Sequence, residues 1–173
     1  MLISKEYAEI NRQMHSRPEY GVIGQSYAHI VEGLANQYRT ASILDYGCGK
    51  RTLENALGYP IWNYDPAIEG LDGTPSPRDI VTCTDVLEHI EPDCLDAVLD
   101  DMHRCTLRVM MSVITIVPAQ KLLPDGTNPH KICEPWEWWH ERLSKRWRLT
   151  NFVDMKKRFV WIGTPKLVCS YSL

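Results

Sequence analysis

Apolar and polar positions follow one another along this chain in blocks that predict strands and helices. Four short runs are largely apolar, as buried parallel strands are: residues 42–44, 61–64, 79–86 and 109–117. Five other segments predict helices from apolar residues three or four positions apart or from start and stop residues: 3–15, 25–38, 51–57, 92–105 and 134–146. Their succession predicts an α/β fold around a mostly parallel sheet.

Two segments modify this picture. Only thirteen residues, rich in glycine and proline, separate Asp65 from Asp79, which is too few for a helix, a strand and another helix. We therefore expect a loop there and a sheet that is truncated at that edge. In the tail, β-like runs at 147–154, 158–162 and 167–171, with a turn at 163–165, predict a terminal antiparallel hairpin.

The length of 173 residues predicts a single domain, 1–173, with N-terminal helices in 1–40 and the core in 41–173. A net charge of −3 argues against tight nonspecific binding to a polyanion, although a local basic face stays open. The longest apolar run, residues 109–117, is far too short for a membrane span. The oligomeric state is not predictable from these features.

The six cysteines form no C-x-x-C pair, and the first residues are charged and carry no sign of a secretory signal. These observations predict reduced thiols and a cytoplasmic protein.

Candidate chemistry begins at Gly47 and Gly49, which directly follow the first predicted strand. Such a pair lets the backbone approach a ligand closely, and a helix beginning near Lys50 would point its amide groups at that ligand. Asp65 ends the next strand, twenty residues after Asp45. An α/β nucleotide-binding fold places there the carboxylate that accepts hydrogen bonds from ribose hydroxyls.

Three motifs extend this pattern to a family. The sequences LDYGCG (44–49), YDP (64–66) and CTDVLEHI (83–90) resemble the first, second and fourth motifs of class I S-adenosylmethionine (SAM) dependent methyltransferases. The resemblance implies SAM as cofactor and a Rossmann-like sheet, mostly parallel, with a C-terminal antiparallel hairpin. The usual third strand is predicted to be missing, and Arg51 stands where the family usually has a third glycine.

The resemblance also implies the cofactor site. Asp45 and the backbone at Gly47 and Gly49 would hold the methionine end, Asp65 the ribose, and residues 71–73 the adenine. Asp85 would face the methionine amino group or the transferred methyl. The full set of cofactor residues implied in this way is Asp45, Tyr46, Gly47, Gly49, Asp65, Pro66, Asp85 and Val86. The N-terminal segment is either a lid over this site or a simple linker.

The acceptor side is predicted at Glu88 and His89, just past the fourth-motif strand, and at His130 after the loop that follows the next strand. His89 would be a general base, because an unperturbed imidazole titrates near neutrality. The alternative is that His89 only hydrogen-bonds a loop. The predicted function is methyl transfer to a nucleotide-like or other small polar acceptor. Trp136, Trp138 and Trp139 would either stack on a flat acceptor or form core.

Two alternatives remain. Asp85, Glu88, His89 and His130 form a set that could bind a divalent metal, which is similar to the metal site of small-RNA 3′-terminal 2′-O-methyltransferases. Ile90 and Asp85 depart from that pattern, so the metal is not favoured, but a nucleic-acid acceptor stays open. The second alternative, suggested by Arg51, is a SAM-binding sensor or partner subunit without transferase activity.

Overall fold

The structure is a computed structural model and describes residues 1–166. Its helices are α1 (Lys5–His15), α2 (Ala28–Tyr38), α3 (Thr52–Leu57), α4 (Leu95–Cys105) and α5 (Trp136–Leu143). Its strands are β1 (Ile43–Tyr46), β2 (Trp62–Tyr64), β3 (Arg78–Thr84), β4 (Thr106–Thr115), β5 (Trp147–Asp154) and β6 (Arg158–Pro165). Three short 3₁₀ helices, Ile23–Tyr27, Leu87–His89 and Pro92–Cys94, precede or follow these elements.

The six strands form one sheet in the order β2-β1-β3-β4-β6-β5. Strands β1 to β4 pair in parallel, whereas β6 is antiparallel to both β4 and β5. The predicted α/β fold, with its mostly parallel sheet and antiparallel C-terminal strands, is confirmed. Residues 65–77 contain neither helix nor strand, so β2 forms one edge of the sheet, as the short glycine- and proline-rich segment predicted.

The predicted turn at residues 163–165 is wrong, because these residues continue β6. Gly163 pairs with Met110 of β4 and with Leu149 of β5. A Cβ atom on Gly163 would lie only 2.3 Å from Cζ3 of the Trp161 ring. Glycine therefore makes room for a buried tryptophan inside a strand and does not mark a turn. The third predicted run, residues 167–171, lies outside the described residues.

Apolar side chains cover both faces of the sheet. One face packs against α4 and α5 and includes the fully buried Trp139, Trp147 and Trp161. The other face packs against α2 and α3. Trp136, by contrast, is 37% exposed and contacts Phe152 with ring centroids 5.0 Å apart.

The N-terminal helix α1 is capped by Ser4, whose hydroxyl accepts a hydrogen bond from the amide of Tyr7. Its buried side chains Tyr7 and Met14 pack against Leu123, which lies in the long loop after β4. This packing places α1 above the carboxyl ends of the parallel strands. None of the helices in residues 1–166 is long and apolar enough to span a membrane.

Candidate active site

The glycine loop after β1 is compressed between two neighbouring segments. Gly47 and Gly49 have φ angles of +79° and +49°, in the left-handed region. A Cβ atom on Gly47 would lie 2.5 Å from Cγ2 of Val86, and one on Gly49 would lie 2.8 Å from the carbonyl oxygen of Gly21. The amide of Gly47 donates to the carbonyl of Tyr64, 2.7 Å away. Only glycine fits both positions, because Val86 and Gly21 pack directly against the loop backbone.

Arg51 occupies the position before α3 and also has a left-handed backbone, with φ of +56°. A non-glycine residue adopts this conformation at a cost of roughly 1 kcal/mol. Arg51 thus stands in a backbone conformation that glycine adopts without this cost.

Asp45 lies at the carboxyl-terminal half of β1 and is almost fully buried. Its Oδ1 accepts a hydrogen bond from the hydroxyl of Thr82, 3.1 Å away on β3. Burial raises the pKa of Asp45 to about 7, with a smaller contribution from the negative charge of Asp65. A cationic ligand beside Asp45 would therefore stabilise its ionised form.

Asp65 follows β2 and is held by the backbone around it. Its carboxylate accepts hydrogen bonds from the amide of Gly49 at 3.1 Å and from the amide of Ala67 at 3.0 Å. His15, at the end of α1, places Nε2 3.7 Å from Oδ2 of Asp65. The N-terminal helix thus reaches the carboxylate that was predicted to hold a ribose.

Asp85 follows β3 with a left-handed backbone, φ +59°, which is unusual for a residue with a side chain. Its Oδ1 accepts a hydrogen bond from the hydroxyl of Thr115, 2.8 Å away. Burial acts most strongly and would raise the pKa of Asp85, but the hydrogen bond from Thr115, the neighbouring Glu88 carboxyl and the positive charges of His89 and Arg158 together outweigh it, and the net pKa is lowered. Asp85 is therefore ionised at the carboxyl end of the sheet.

Glu88 lies directly behind Asp85 and is completely buried. Its Oε1 accepts a hydrogen bond from the amide of Thr115 at 2.7 Å, while its Oε2 has no hydrogen-bond partner among residues 1–166. Burial and the charge of Asp85 raise the pKa of Glu88 well above its usual range. Glu88 is thus a neutral acid that is hydrogen-bonded to the last residue of β4.

His89 and His130 stand edge to face, with ring centroids 4.8 Å apart. Nδ1 of His130 lies 2.6 Å from the carbonyl oxygen of Val117, so Nδ1 carries a proton and donates it to this hydrogen bond. Burial, and then the charge that His130 can carry, lower the pKa of His89 to about 4. Tyr20 closes the group, with its ring centroid 6.3 Å from that of His89.

One cleft of about 830 Å³ joins these features. Most of the predicted site residues line it: Asp45, Gly47, Gly49, Asp65, Pro66, Asp85, Val86, His89 and His130. The cofactor-side and acceptor-side predictions therefore meet in a single space at the carboxyl ends of β1, β3 and β4.

Some residues that were predicted for the site do not line the cleft. The Tyr46 side chain turns away from the cleft, and its hydroxyl donates to Asp101 at 2.9 Å. Glu88 lies behind the lining, since its side chain is fully buried. Residues 71–73 and the three tryptophans of the 134–146 segment do not line the cleft either. Trp139 is instead core, because its side chain is completely buried in the apolar cluster between α5 and the sheet.

Other residues of the cleft were not predicted from the sequence. His15 and Tyr20 come from the N-terminal segment, Thr115 ends β4, and Arg158 opens β6. Arg158 belongs to a basic run that is typical of solvated surface, and only the pairing of β6 with β4 brings it to the cleft. No local signal distinguishes it from Lys156 and Lys157.

This sheet order, with a glycine loop and three acids at the strand ends, defines a Rossmann-like α/β protein with a cofactor cleft. The sequence profile of a methyltransferase domain family matches residues 22–155. The chain belongs to this methyltransferase domain family, which confirms the predicted enzyme class.

Several solved structures share the fold. The 1,6-didemethyltoxoflavin-N1-methyltransferase of Burkholderia thailandensis, with bound 1,6-didemethyltoxoflavin and S-adenosylhomocysteine (SAH), is similar with a TM-score of 0.64 and 14% identity, over 92% of this chain and 89% of that one. A DhpI–SAH complex is similar with a TM-score of 0.61 and 16% identity, over 92% of this chain and 96% of that one. The methyltransferase domain of bacterial CtHen1-CN is similar with a TM-score of 0.59 and 14% identity, over 82% of this chain and 99% of that one. None of the curated protein sequences matches this chain.

Proposed function

We propose that this protein transfers a methyl group from SAM to a small polar or nucleotide-like acceptor. The observation that carries the proposal is that one cleft contains both the glycine loop with its carboxylates and the His89–His130 pair. Family membership supports the reaction class, and the similar folds include enzymes with bound SAH. We assign Asp45 and Asp85 to the methionine end and Asp65 to the ribose.

Methyl transfer is an in-line displacement, so the protein mainly holds donor and acceptor close together. Where the acceptor carries a proton, His89 is the group that accepts it, because its burial keeps the imidazole neutral at pH 7. An imidazole of low pKa is a weak base, and it suits an acceptor whose own proton is acidic, such as a ring N–H, better than an alcohol. This argument favours a heteroaromatic or comparably acidic small molecule.

Helix α1 is proposed as a lid over this cleft. It packs on Leu123 of the loop after β4 and brings His15 to Asp65, so it contacts both sides of the cleft. A lid in this position would exclude water from the reacting groups.

Calorimetry with SAM and SAH tests the cofactor assignment first. We expect Asp65→Ala to weaken SAH binding by about 1.5–3 kcal/mol, the value of hydrogen bonds to a charged group. Asp72→Ala, on the same loop but outside the cleft lining, is the matched control. Absence of binding to the wild type at high micromolar SAM would refute the proposal.

Transfer is tested with labelled SAM and a panel of nucleosides, nucleotides and acidic heterocycles. We expect His89→Ala to lower transfer to a positive acceptor by about 10²–10⁴-fold while SAH affinity is kept. The alternative of a non-catalytic SAM-binding protein predicts SAM binding with no transfer to any acceptor of the panel, in wild type and variant alike.

A second candidate function is metal-dependent 2′-O-methylation of an RNA 3′ end. Donor atoms of Glu88, His89 and His130 lie within 4.8 Å of one another, whereas Asp85 is not part of this group. Oε2 of Glu88 and Nδ1 of His89 are buried without hydrogen-bond partners among residues 1–166. These side chains fit a divalent cation, which would lower the pKa of a bound hydroxyl.

The metal candidate has its own test. Titration with Mn²⁺ should show one site that His130→Ala removes and that His29→Ala, a change at an exposed histidine of α2, leaves intact. Transfer to an RNA 3′ end should also depend on the added metal. Transfer that is indifferent to a chelator would exclude this function and leave the metal-independent one.

A further inference from the structure

Arg158 is a cation placed inside the cleft by the sheet. It opens β6 directly opposite Thr115 of β4. Its side chain is partly buried, and Nη1 donates a hydrogen bond to the hydroxyl of Tyr27 at 3.3 Å. Tyr27 is buried and ends the 3₁₀ helix Ile23–Tyr27, so the guanidinium has one fixed hydrogen-bond partner.

The charge of Arg158 lacks a partner in the described part of the chain. No carboxylate oxygen among residues 1–166 lies within 4 Å of its guanidinium. Of the other cations that line the cleft, Lys121 is 68% exposed and pairs with Glu19 at 3.2 Å, and Lys157 is exposed. Arg17 is also partly buried without an ion pair, but it follows α1 and lies outside the β4–β6 ladder that links Arg158 to Thr115. The negative charge of Asp85 acts on Arg158 from beyond ion-pair distance, and Arg158 helps to lower the pKa of Asp85. A partly buried guanidinium that has a fixed neutral partner but no carboxylate in contact is suited to bind an anion.

The position of Arg158 indicates which anion. The methionine end of SAM carries an ammonium and a carboxylate on the same carbon, so their protein partners must also be neighbours. Asp85 and Arg158 are linked by a single residue, since Thr115 donates to Asp85 at 2.8 Å and lies opposite Arg158 in the β4–β6 ladder. Acid and base are therefore arranged as a pair for an amino acid.

The anchor of Arg158 belongs to the cofactor wall as well. Tyr27 follows the segment 21–24, and the carbonyl of Gly21 accepts a hydrogen bond from the amide of Lys50 at 3.0 Å. That segment packs directly on Gly49 of the glycine loop. Arg158 is thus tied to the loop that holds the cofactor.

We propose that Arg158 binds the α-carboxylate at the methionine end of the cofactor. The inference rests on the proposed binding of SAM in this cleft. An acidic group of the acceptor is the competing occupant, and the experiment separates the two.

Calorimetry with two ligands tests the assignment. SAH carries the carboxylate, whereas its decarboxylated analogue keeps the amino group and lacks only that carboxylate. We expect Arg158→Gln to weaken SAH binding by about ten- to a hundredfold and to leave the affinity for the analogue unchanged. Lys157→Gln, which removes the neighbouring cation of the cleft, should change neither affinity. Tyr27→Phe should weaken SAH by a smaller factor, because it only releases the guanidinium.

The outcomes are distinct. Loss of SAH affinity without loss of analogue affinity supports the assignment, and binding of the analogue shows that the variant is folded. Equal losses for both ligands, or no loss for either, would overturn it and leave the acceptor as the source of any anion. If wild-type protein bound neither ligand, the proposed SAM function itself would fail.

Discussion

Binding of the cofactor should release a proton from Asp45. Burial raises the pKa of this carboxyl to about 7 in the free protein, so Asp45 is mostly protonated at pH 6. An ammonium group beside it favours the ionised form and lowers the pKa in the complex. SAH must then displace a proton at low pH and need not do so at high pH. Affinity therefore rises with pH up to about 7 and is constant above it.

The size of the effect follows from the free-protein pKa. With a value of about 7, SAH binds about tenfold more weakly at pH 6 than at pH 8, and nearly one proton is released per ligand at pH 6. Calorimetry in two buffers with different ionisation heats measures both quantities. Asp45→Asn should bind weakly at every pH and release no such proton.

The other charged groups near Asp45 are Asp65 and Glu54, and His15 stands beside Asp65. His15→Asn is therefore the control for a second titrating group, and it should keep the pH dependence. Equal SAH affinity at pH 6 and pH 8, with no proton released by the wild type, would refute the assignment of Asp45 to the methionine ammonium.

Three further predictions concern stability and are measured by urea unfolding. Gly47→Ala should lower the free energy of unfolding by about 2–4 kcal/mol, because the backbone is left-handed and the new Cβ would clash with Val86. Gly33→Ala in α2 is the control: a Cβ there has no atom within 4 Å, so the change should raise the free energy of unfolding by about 0.5–1 kcal/mol. Trp139→Ala should cost about 3–5 kcal/mol and Trp136→Ala, at 37% exposure, about 1 kcal/mol or less. Gly163→Ala should cost about 1–3 kcal/mol, and a neutral result would contradict the packing of that strand.

The cofactor side of the cleft was predictable because its signals are local in sequence. Gly47, Gly49 and Asp65 each follow a strand within a few residues, and parallel strands bring their carboxyl ends to one edge. Their spacing along the chain therefore translates directly into proximity. The loop in place of a third strand was predictable for a similar reason, since length alone excluded further elements.

The rest depended on contacts between distant segments. Gly163 looked like a turn residue, and only the neighbouring Trp161 ring explains a glycine inside β6. Arg158 and His15 reach the cleft through the β4–β6 pairing and the packing of α1, which no local pattern encodes. A basic run and an amphipathic helix are each typical of ordinary surface and packing elements.

The two sides of the cleft differ in charge, and this difference limits the chemistry. The proposed cofactor side presents acids, which suit a cationic donor, while the proposed acceptor side holds a neutral Glu88 and a neutral His89. If His89 accepts a proton as proposed, burial disfavours the imidazolium, and the charge of Asp85 and the backbone of Pro129 favour it. Proton transfer is therefore feasible when the acceptor releases its proton readily. On the proposed role of His89, the same electrostatics that keep its imidazole neutral would select for an acidic acceptor.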